Sequence, residues 1–348
     1  MPRTLIGLDL GSGVIRAAEV QPNPKGRPQL HRYAEVAVPA SAINEGVVAD
    51  EEVVVAALKR LWSEARFKSR SVVIGIGSQQ VLTRELALPR MPLEQLRETL
   101  PFRVQDLLPL PVEQALLDFF PLEEVEGEEG PQLRGLLVAA TRESVTANTR
   151  AIAAAGLRVI DVDLIPFAVS RVQLEEHDGP GAEVLVHVGA QSTSIVVAEG
   201  GIPQFVRTLP AGGADITEAI AERLRIDEAE AEALKRRVGM AEGTDPAART
   251  AAKVAGEIAA ELVRAVRSTI AFYTNAHPAA SFGGVVLSGG GGALIGFADA
   301  LGAAVGLPVM SVAAGVKFSV GPRVDQESFF AAGPAPTVAL GLTMRSPA

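Results

Sequence analysis

The sequence predicts an α/β protein of two lobes that carries a smaller inserted subdomain. Near its start, Leu5–Leu10, Val14–Val20 and Gln29–Val38 have the apolar runs and turns of three antiparallel strands. The same pattern returns in Val184–Arg207, where apolar runs flank a small, hydroxyl-rich loop. The 348 residues also exceed what one hydrophobic core usually accommodates. A duplicated unit therefore explains both the length and the pattern.

Composition narrows the class of protein. A formal net charge of −9 argues against a nucleic-acid-binding surface, and the absence of cysteine excludes disulfides and thiolate chemistry. No signal peptide is visible at the start of the chain. The most membrane-like stretch is Gly283–Val316, but its glycines Gly289–Gly292 would break a spanning helix. We therefore expect a soluble, cytoplasmic protein that does not insert into the membrane directly.

A helix and a strand complete the first unit. Asp50 stands where a helix N-cap is expected, and the apolar residues that follow it share one helical face up to Ala65. Ser71–Ile76 is almost uninterrupted in its apolar character, as is typical of a strand covered on both faces of a sheet. Together with the first three strands, these elements make one α/β layer.

The pattern of apolar and polar residues changes at Val81, where the predicted insertion begins. Leu82–Leu88 alternates like a strand, and a helix-patterned stretch up to Leu107 follows two prolines. Pro101 inside that stretch is expected to kink or split the helix. The remaining predicted elements are two strands around the solvated acidic loop Glu123–Pro131, a helix and a third strand: Ala115–Leu122, Leu133–Thr141, Ser144–Ala155 and Leu157–Asp163.

The second half is predicted to contain more helix. A helix at Pro166–Glu175 precedes a linker at Asp178–Gly181, and the second meander follows the linker. After the meander, a strand is predicted at Val285–Ser288. The other predicted helices run from after Asp215 to Leu224, over Asp227–Val238, Asp245–Thr274 and Ala293–Leu301, and within Pro336–Arg345. Val312–Pro334 has no clear period and is left unplaced. The predicted domains are residues 1–80 with 165–180, residues 81–164, and residues 181–348 with a helical part at 214–280.

Three glycine-containing motifs stand at predicted strand ends. They are Asp9-Leu10-Gly11-Ser12-Gly13, His187-Val188-Gly189-Ala190-Gln191-Ser192-Thr193 and Leu287-Ser288-Gly289-Gly290-Gly291-Gly292. Together they resemble the two phosphate loops and the adenosine loop of the actin-like ATPase superfamily. This resemblance implies an actin-like two-lobe fold, with duplicated ribonuclease-H-like domains and a nucleotide between them.

The remaining motifs extend the resemblance over nearly the whole chain. They are Pro89-Arg90-Met91-Pro92 through Pro109, Asp118, Ala155-Gly156-Leu157, Asp163, Ile202–Asp215, Ala231–Lys235 and Val338–Arg345. They are similar to the PilM family of type IV pilus assembly proteins, which resemble the cell-division protein FtsA in fold and in the place of the insertion. The resemblance implies a cytoplasmic scaffold that binds ATP or ADP. Such a scaffold is peripheral to the inner membrane, binds the N-terminal tail of a PilN-like membrane protein and can self-associate.

The two phosphate loops supply most of the predicted nucleotide-binding residues. On one side these are Asp9, Gly11, Ser12 and Gly13, and on the other Gly189, Gln191, Ser192 and Thr193. Backbone amides of such loops can approach phosphate, while the Asp9 carboxylate would orient Mg²⁺ through water. The alternative for Asp9 is an ordinary turn aspartate.

The nucleoside side of the predicted site rests on two further groups. Gly212 and Gly213 precede a helix, whose N-terminus suits an anion or a ribose, although a plain strand-to-helix turn explains them equally well. Glu232 and Lys235, three residues apart on a helix, form an exposed ion pair by spacing alone, whereas the resemblance implies contact with the nucleoside. The third loop adds backbone that can lie flat against a base, or a structural turn, at Gly289, Gly290 and Gly291.

His187 is where the chain departs from the resemblance, since the matching position usually holds an aspartate. Imidazole is a poor ligand for magnesium, which prefers oxygen. His187 would either protonate beside the phosphates or simply pack at the strand end. Asp9 therefore stands alone, so we expect a weakened Mg²⁺ site, slow or absent ATP hydrolysis and weak dependence of nucleotide affinity on magnesium.

Two other functions remain open at this point: a small-molecule kinase and an FtsA-like filament. No distinct catalytic carboxylate supports the kinase, and the chain shows no amphipathic targeting helix near Met344–Ala348. We propose no catalytic residue. The insertion at Val81–Leu164 is expected to leave a groove against the first lobe, where a short tail would bind by strand addition or apolar anchors. The resemblance implies that this tail is a hydrophobic peptide containing Asn, Leu and Pro.

Overall fold

The computed structural model describes residues 4–78, 80–127, 130–175, 177, 181–241 and 243–344. The strands in chain order are β1 Leu5–Gly11, β2 Val14–Gln21, β3 Gln29–Ala37, β4 Ile43–Asn44, β5 Val47–Val48, β6 Ser71–Ile76, β7 Val81–Pro89, β8 Ala115–Gly127, β9 Gly130–Thr141, β10 Arg158–Leu164, β11 Ala182–Val188, β12 Thr193–Glu199, β13 Ile202–Leu209, β14 Phe282–Ser288, β15 Val309–Ser311 and β16 Ser319–Val320. The α-helices are α1 Glu51–Ala65, α2 Leu93–Val104, α3 Arg142–Ala154, α4 Ile165–Gln173, α5 Gly213–Leu224, α6 Glu228–Val238, α7 Pro246–Ala276, α8 Phe297–Val305, α9 Gln326–Ala331 and α10 Thr337–Gly341.

The first lobe is built on a six-stranded sheet in the order β10-β6-β1-β2-β3-β16. The first three strands form an antiparallel meander, and β6 then pairs parallel to β1. Helix α1 covers one face of this sheet. Asp50 caps the start of the helix by accepting a hydrogen bond from the Val53 amide at 3.1 Å. Its buried Leu58 and Trp62 pack in one cluster with Ile6 and other residues of the sheet.

The second lobe repeats this plan in a five-stranded sheet of order β13-β12-β11-β14-β15. Its meander is β11-β12-β13, and β14 pairs parallel to β11 as β6 does to β1. Val184, Val186 and Ile195 are completely buried between this sheet and the long helix α7. The predicted duplication, and with it the two-lobe α/β class, is confirmed.

The inserted subdomain is a three-stranded sheet, β7-β9-β8, with α2 packed on it. Pro101 does not split α2, which continues to Val104. Leu96, Leu100 and Val104 follow one another at four-residue spacing and are completely buried against Phe119 of the sheet. This continuous apolar stripe holds the helix together past the missing amide. The flanking strands β8 and β9 also run further into the acidic loop than predicted.

The inserted sheet contacts the second lobe directly. The Thr83 hydroxyl donates to the Val206 carbonyl oxygen at 2.9 Å, which joins β7 to the outer strand β13. A guanidinium nitrogen of Arg134 on β9 donates to Gln204 Oε1 at 3.1 Å. The insertion therefore touches β13 as well as the first lobe, against which its groove was predicted.

The last part of the chain returns to the first lobe. Strand β16, within the stretch that had no clear period, pairs with β3. Ala339 and Leu340 of α10 are buried with Ala18 and Leu30 of the first sheet. Assigning residues 181–348 entirely to the second lobe therefore does not hold for this end, since long-range packing decides where it lies. The predicted insertion at residues 81–164 is also too long, because β10 pairs in the first sheet and Ile152 of α3 is buried in the core of the first lobe. The remaining predicted domain bounds stay predictions.

One smaller expectation also changed, and two others fall wholly or partly outside the described residues. The predicted helix at Ala293–Leu301 is a 3₁₀ turn at Gly291–Ala293 followed by α8, because Gly296 adopts a left-handed conformation between them. The predicted linker lies outside the described residues except for Gly181, and so does Arg345 at the end of the predicted tail. Among the helices of the described ranges, none has the length and apolar character that crossing a membrane requires.

Candidate functional site

Asp9 lies near the end of β1 and is buried among charged neighbours on β2 and β3. Its carboxylate is 3.8 Å from a guanidinium nitrogen of Arg16, whose Nε donates to Glu35 at 3.3 Å. The three side chains share a sheet face, because Asp9 pairs with Arg16 and Arg16 with Glu35 in register. Burial raises the pKa of Asp9 to about 6, and the charge of Arg16 limits the rise.

His187 occupies the equivalent place on β11 of the second lobe. Its Nδ1 is 3.3 Å from the Ser288 hydroxyl on the neighbouring strand. Burial, and then the charge of Arg16 from the opposite lobe, lower the pKa of His187 to about 4. At neutral pH the imidazole is therefore uncharged in the nucleotide-free chain. This disfavours a protonated His187 that would offset phosphate charge, one of the two roles that the sequence left open.

The two predicted phosphate loops are short turns of different construction. In the first, Gly11 pairs with Val14 across the Ser12-Gly13 turn, and Gly13 adopts a left-handed φ of 81°. In the second, the Gly189 amide donates to the Ser192 carbonyl oxygen at 2.8 Å.

Two side chains of the second loop already have protein partners. Thr193 is buried, and its hydroxyl donates to the Ala211 carbonyl oxygen at 2.7 Å. Gln191 reaches across to the first lobe, where it contacts Asn44 and the Glu45 amide. Neither side chain is free to contact phosphate unless these hydrogen bonds break. The sequence predicted both residues as phosphate contacts and did not indicate these partners in the nucleotide-free chain.

Gly212 and Gly213 begin helix α5 directly against the second loop. The Gly212 amide donates to Asp215 Oδ2 at 2.6 Å, and the Gly213 amide donates to the Gly189 carbonyl oxygen at 2.9 Å. A Cβ atom on Gly212 would lie 2.4 Å from the Ala190 carbonyl oxygen, so this close approach requires glycine. Because these amides are engaged, this helix end offers a close backbone surface rather than free donors to an anion.

The third loop completes the same surface. A Cβ atom on Gly291 would lie 3.3 Å from the Gly189 carbonyl oxygen, and the Gly291 Cα is 3.4 Å from such an atom on Gly213. Gly289 adopts a left-handed φ of 84° against the Val188 carbonyl. Around Gly290, in contrast, a Cβ atom would meet nothing within 4 Å. The structure thus brings the second loop, the start of α5 and the third loop together, with Gly290 exposed beside them.

Glu232 and Lys235 form a partly buried network with the start of α5, not an isolated surface pair. Lys235 Nζ is 2.5 Å from Glu232 Oε2 and donates to the Gly213 carbonyl oxygen at 2.8 Å and to the Thr217 hydroxyl at 2.7 Å. Burial of Glu232 opposes its ionisation, but hydrogen bonds from Lys235, Thr217 and Arg236 outweigh it and lower the pKa to about 2. The network fixes α6 against the glycine surface.

Replacing Lys235 by methionine should destabilise the second lobe by about 1–3 kcal/mol, because the Glu232 carboxylate and the Gly213 carbonyl lose a buried donor. The free energy of unfolding from urea denaturation measures this loss. Arg236→Ala is the matched control, since its side chain binds the same carboxylate but is 78% exposed, and we expect less than about 0.5 kcal/mol. Equal losses in the two variants would contradict a structural role for the buried amine.

The metal expectation has limited support in the side chains present. Within the described ranges, no group of three or more His, Asp or Glu side chains is arranged to hold a metal ion. The charged group that faces Asp9 is a guanidinium, not a second carboxylate. A hydrated Mg²⁺ beside Asp9 would therefore compete with Arg16 for the same oxygen atoms.

Sequence reasoning missed two residues of this region. Arg16 belongs to none of the sequence motifs, although its place two residues into β2 puts it opposite Asp9. Asn44 lies on the β4-β5 hairpin, which is too short to show a strand pattern. The two-residue offset across a tight turn could have indicated Arg16, whereas nothing local could have indicated Asn44.

Comparison with known proteins agrees with this architecture. The sequence model described as Type IV pilus assembly protein PilM matches residues 7–347. A solved PilM-PilN type IV pilus biogenesis complex aligns with a TM-score of 0.87 at 30% identity, covering 100% of both chains. MreB 5 of Spiroplasma citri bound to AMPPNP aligns with a TM-score of 0.56 at 12% identity, over 98% of this chain and 95% of that one. The Bacillus subtilis cell division protein FtsA is 23% identical over 228 residues, 59% of this chain and 51% of FtsA, so the chain spans about half the length of the curated relatives it matches.

Proposed function

The chain belongs to the family of the type IV pilus assembly protein PilM, and from this premise we propose that it is a nucleotide-binding scaffold of a pilus assembly platform. It binds the N-terminal tail of a PilN-like protein and is thereby held at the inner membrane. The observation that carries this proposal is the agreement over the whole chain with the protein of a PilM-PilN complex.

Bound ATP or ADP would lie between the lobes, with its phosphates between the Gly11-Ser12-Gly13 and Gly189–Ser192 loops. Arg16 supplies positive charge there, since its guanidinium acts on groups of both lobes. The backbones of Gly213 and Gly291 approach each other closely beside Lys235, and a ribose or base would lie against them. The relative MreB 5, which shares the fold, was solved with the nucleotide analogue AMPPNP.

Magnesium would be held weakly, through water on Asp9 alone. Because His187 is uncharged and Arg16 already faces Asp9, the phosphate charge would be balanced mainly by the protein's own guanidinium. ATP hydrolysis is then slow or absent, since no second carboxylate orients the attacking water. The nucleotide serves as a structural ligand of the scaffold.

The partner groove lies where β8, one of the two edge strands of the inserted sheet, approaches helix α4. The Phe120 ring on β8 is 4.8 Å from the Phe167 ring on α4, which directly follows the outer strand β10. Leu116 on β8 and Val162 on β10 are partly buried and pack against the apolar cluster that contains Phe167. Ile160, on β10 where the pairing register shifts, is 45% exposed. An outer strand with an exposed apolar side chain suits an extended, hydrophobic tail.

Ile160→Glu should weaken binding of a synthetic PilN-type N-terminal peptide by about tenfold or more, because it places a charge in an apolar contact. Isothermal titration calorimetry on the full chain measures the dissociation constant. Ile202→Glu is the matched control, since Ile202 is 48% exposed on the second lobe. Wild-type affinity in the Ile160 variant would refute this groove, and a peptide that no variant binds would refute the proposed partner.

The two alternatives gain nothing from the structure. A small-molecule kinase and an FtsA-like filament share the fold, but neither is favoured by a distinct residue or surface. The scaffold remains the function that the site and the family support best.

A further inference from the structure

One side chain of the second phosphate loop joins the two lobes. Gln191 Oε1 accepts a hydrogen bond from the Glu45 backbone amide at 2.7 Å. Its Nε2 donates to Asn44 Oδ1 at 3.2 Å. Both polar atoms of one glutamine amide are thus engaged by adjacent residues of the opposite lobe. We call Gln191, Asn44 and the Glu45 amide the interlobe clasp.

The first-lobe half of the clasp is a preformed turn. Glu45 and Gly46 both have left-handed φ angles, 48° and 74°, between the paired strands β4 and β5. This is the backbone of a type I′ hairpin, which glycine adopts freely and glutamate adopts at some strain. The turn directs the Glu45 amide outward, with the Asn44 side chain beside it.

A buried asparagine of α3 holds this turn in place. Asn148 Nδ2 donates to the Gly46 carbonyl oxygen at 2.9 Å, and Asn148 Oδ1 accepts from the Val48 amide at 2.9 Å. Asn148 is 1% exposed, and Ile43 at the start of the hairpin is completely buried. The hairpin is thus fixed to the first lobe from beneath, so strain on the clasp moves the lobe and not merely a loop.

We propose that this clasp is a latch that holds the cleft closed and controls how fast nucleotide enters and leaves. The inference deepens the proposed nucleotide function and rests on it. Opening the lobes requires both hydrogen bonds to break, after which the Gln191 amide, the Asn44 amide and the Glu45 N–H are all exposed to solvent. Because Gln191 belongs to the loop that would face the phosphates, the latch lies directly at the exit of the ligand.

This role differs from that of a phosphate ligand. If Gln191 bound phosphate, its removal would weaken nucleotide binding while removal of Asn44 would not. If it acts as the latch, removal of Asn44 also speeds release, by less than removal of Gln191 because the bond from the Glu45 amide remains, and removing both side chains adds nothing to removing Gln191 alone. The comparison of Gln191 with Asn44, which lies in the other lobe, therefore separates the two roles.

The first experiment measures the dissociation rate of a fluorescent mant-ATP by stopped flow, with excess unlabelled ATP as the trap. Gln191→Ala loses both hydrogen bonds and should release the analogue about tenfold faster than the native chain, whereas Asn44→Ala loses one and should release it about threefold faster. The double variant should match Gln191→Ala. Asn23→Ala, an exposed asparagine of the same lobe, is the control and should match the native rate. Acceleration in the Gln191 variant without acceleration in the Asn44 variant overturns the latch.

The second experiment needs no nucleotide. Because the chain contains no cysteine, paired cysteines at exposed Glu52 on α1 and Glu222 on α5 allow interlobe distances to be measured by double electron–electron resonance. We expect a narrow distribution for the native chain and a longer, broader one for both clasp variants. Identical distributions overturn the proposal. Failure of every protein to bind mant-ATP would refute the nucleotide function instead, and the distances would still decide the latch.

Discussion

Replacing His187 by aspartate is expected to raise single-turnover ATP hydrolysis about 100-fold in the presence of magnesium, the scale of rate that a well-placed metal ion supplies. The native chain should turn ATP over very slowly, with little difference between magnesium and a chelator. The reason is the composition of the cleft: Asp9 faces Arg16 at 3.8 Å, and the equivalent residue of the other lobe is an uncharged imidazole. A second carboxylate would give hydrated Mg²⁺ an anchor on each lobe.

His187→Asn is the matched control for this gain. It removes the imidazole and supplies an oxygen, but it carries no negative charge to hold the magnesium ion beside the positively charged Arg16. Its rate should stay near that of the native chain. If the native chain hydrolyses ATP as fast as the aspartate variant, with the same metal requirement, the weakened metal site is wrong.

Asp9→Asn should stabilise the nucleotide-free first lobe by about 3 kcal/mol at pH 8. Burial raises the pKa of Asp9 from 3.8 to about 6, so the folded state holds its proton more tightly than the unfolded state. The stabilisation that comes from this tighter binding of the proton is complete below pH 3.8 and is lost as the pH rises through 6. Asparagine, which has no charge to bury, avoids that loss, and the two proteins should converge near pH 4.

The lone tryptophan makes this measurement local. Trp62 packs in the same cluster as Ile6, Leu8 and Leu10 of β1, so its fluorescence during urea denaturation reports the unfolding of the lobe that holds Asp9. Glu64→Gln is the control, since that side chain is 67% exposed, and we expect a change of less than about 0.5 kcal/mol. A difference between Asp9→Asn and the native chain that is independent of pH would exclude ionisation of Asp9 as its cause.

The ionised carboxylate of Asp9 has opposite effects on function and on stability. Asp9 is the one carboxylate proposed to orient magnesium, and its ionised form destabilises the empty lobe. A buried charge that lowers the stability of the empty cleft is typical of a binding site.

Local features of the sequence determined the repeated architecture. Each meander is encoded by apolar runs whose side chains alternate across a sheet and by glycine turns between them, such as Ser12-Gly13. Helix α1 is encoded by Asp50 and a stripe of apolar residues at helical spacing. These signals act over a few residues, so they can be seen before the chain folds. The glycine loops belong to the same class, and the proximity of the second and third follows from their strands pairing in one sheet.

Tertiary structure alone decided which of those residues meet, and what each side chain does there. Sequence spacing could not show that Gln191 binds Asn44, because the two are separated by most of the first lobe and the inserted subdomain. Nor could it show that Arg16 acts on His187, or that β16 joins the first sheet, since both depend on how the lobes face each other and on burial over long range. A pKa, a clasp and a shared core are properties of packed neighbours, so residues distant in sequence supply them and local pattern does not record them.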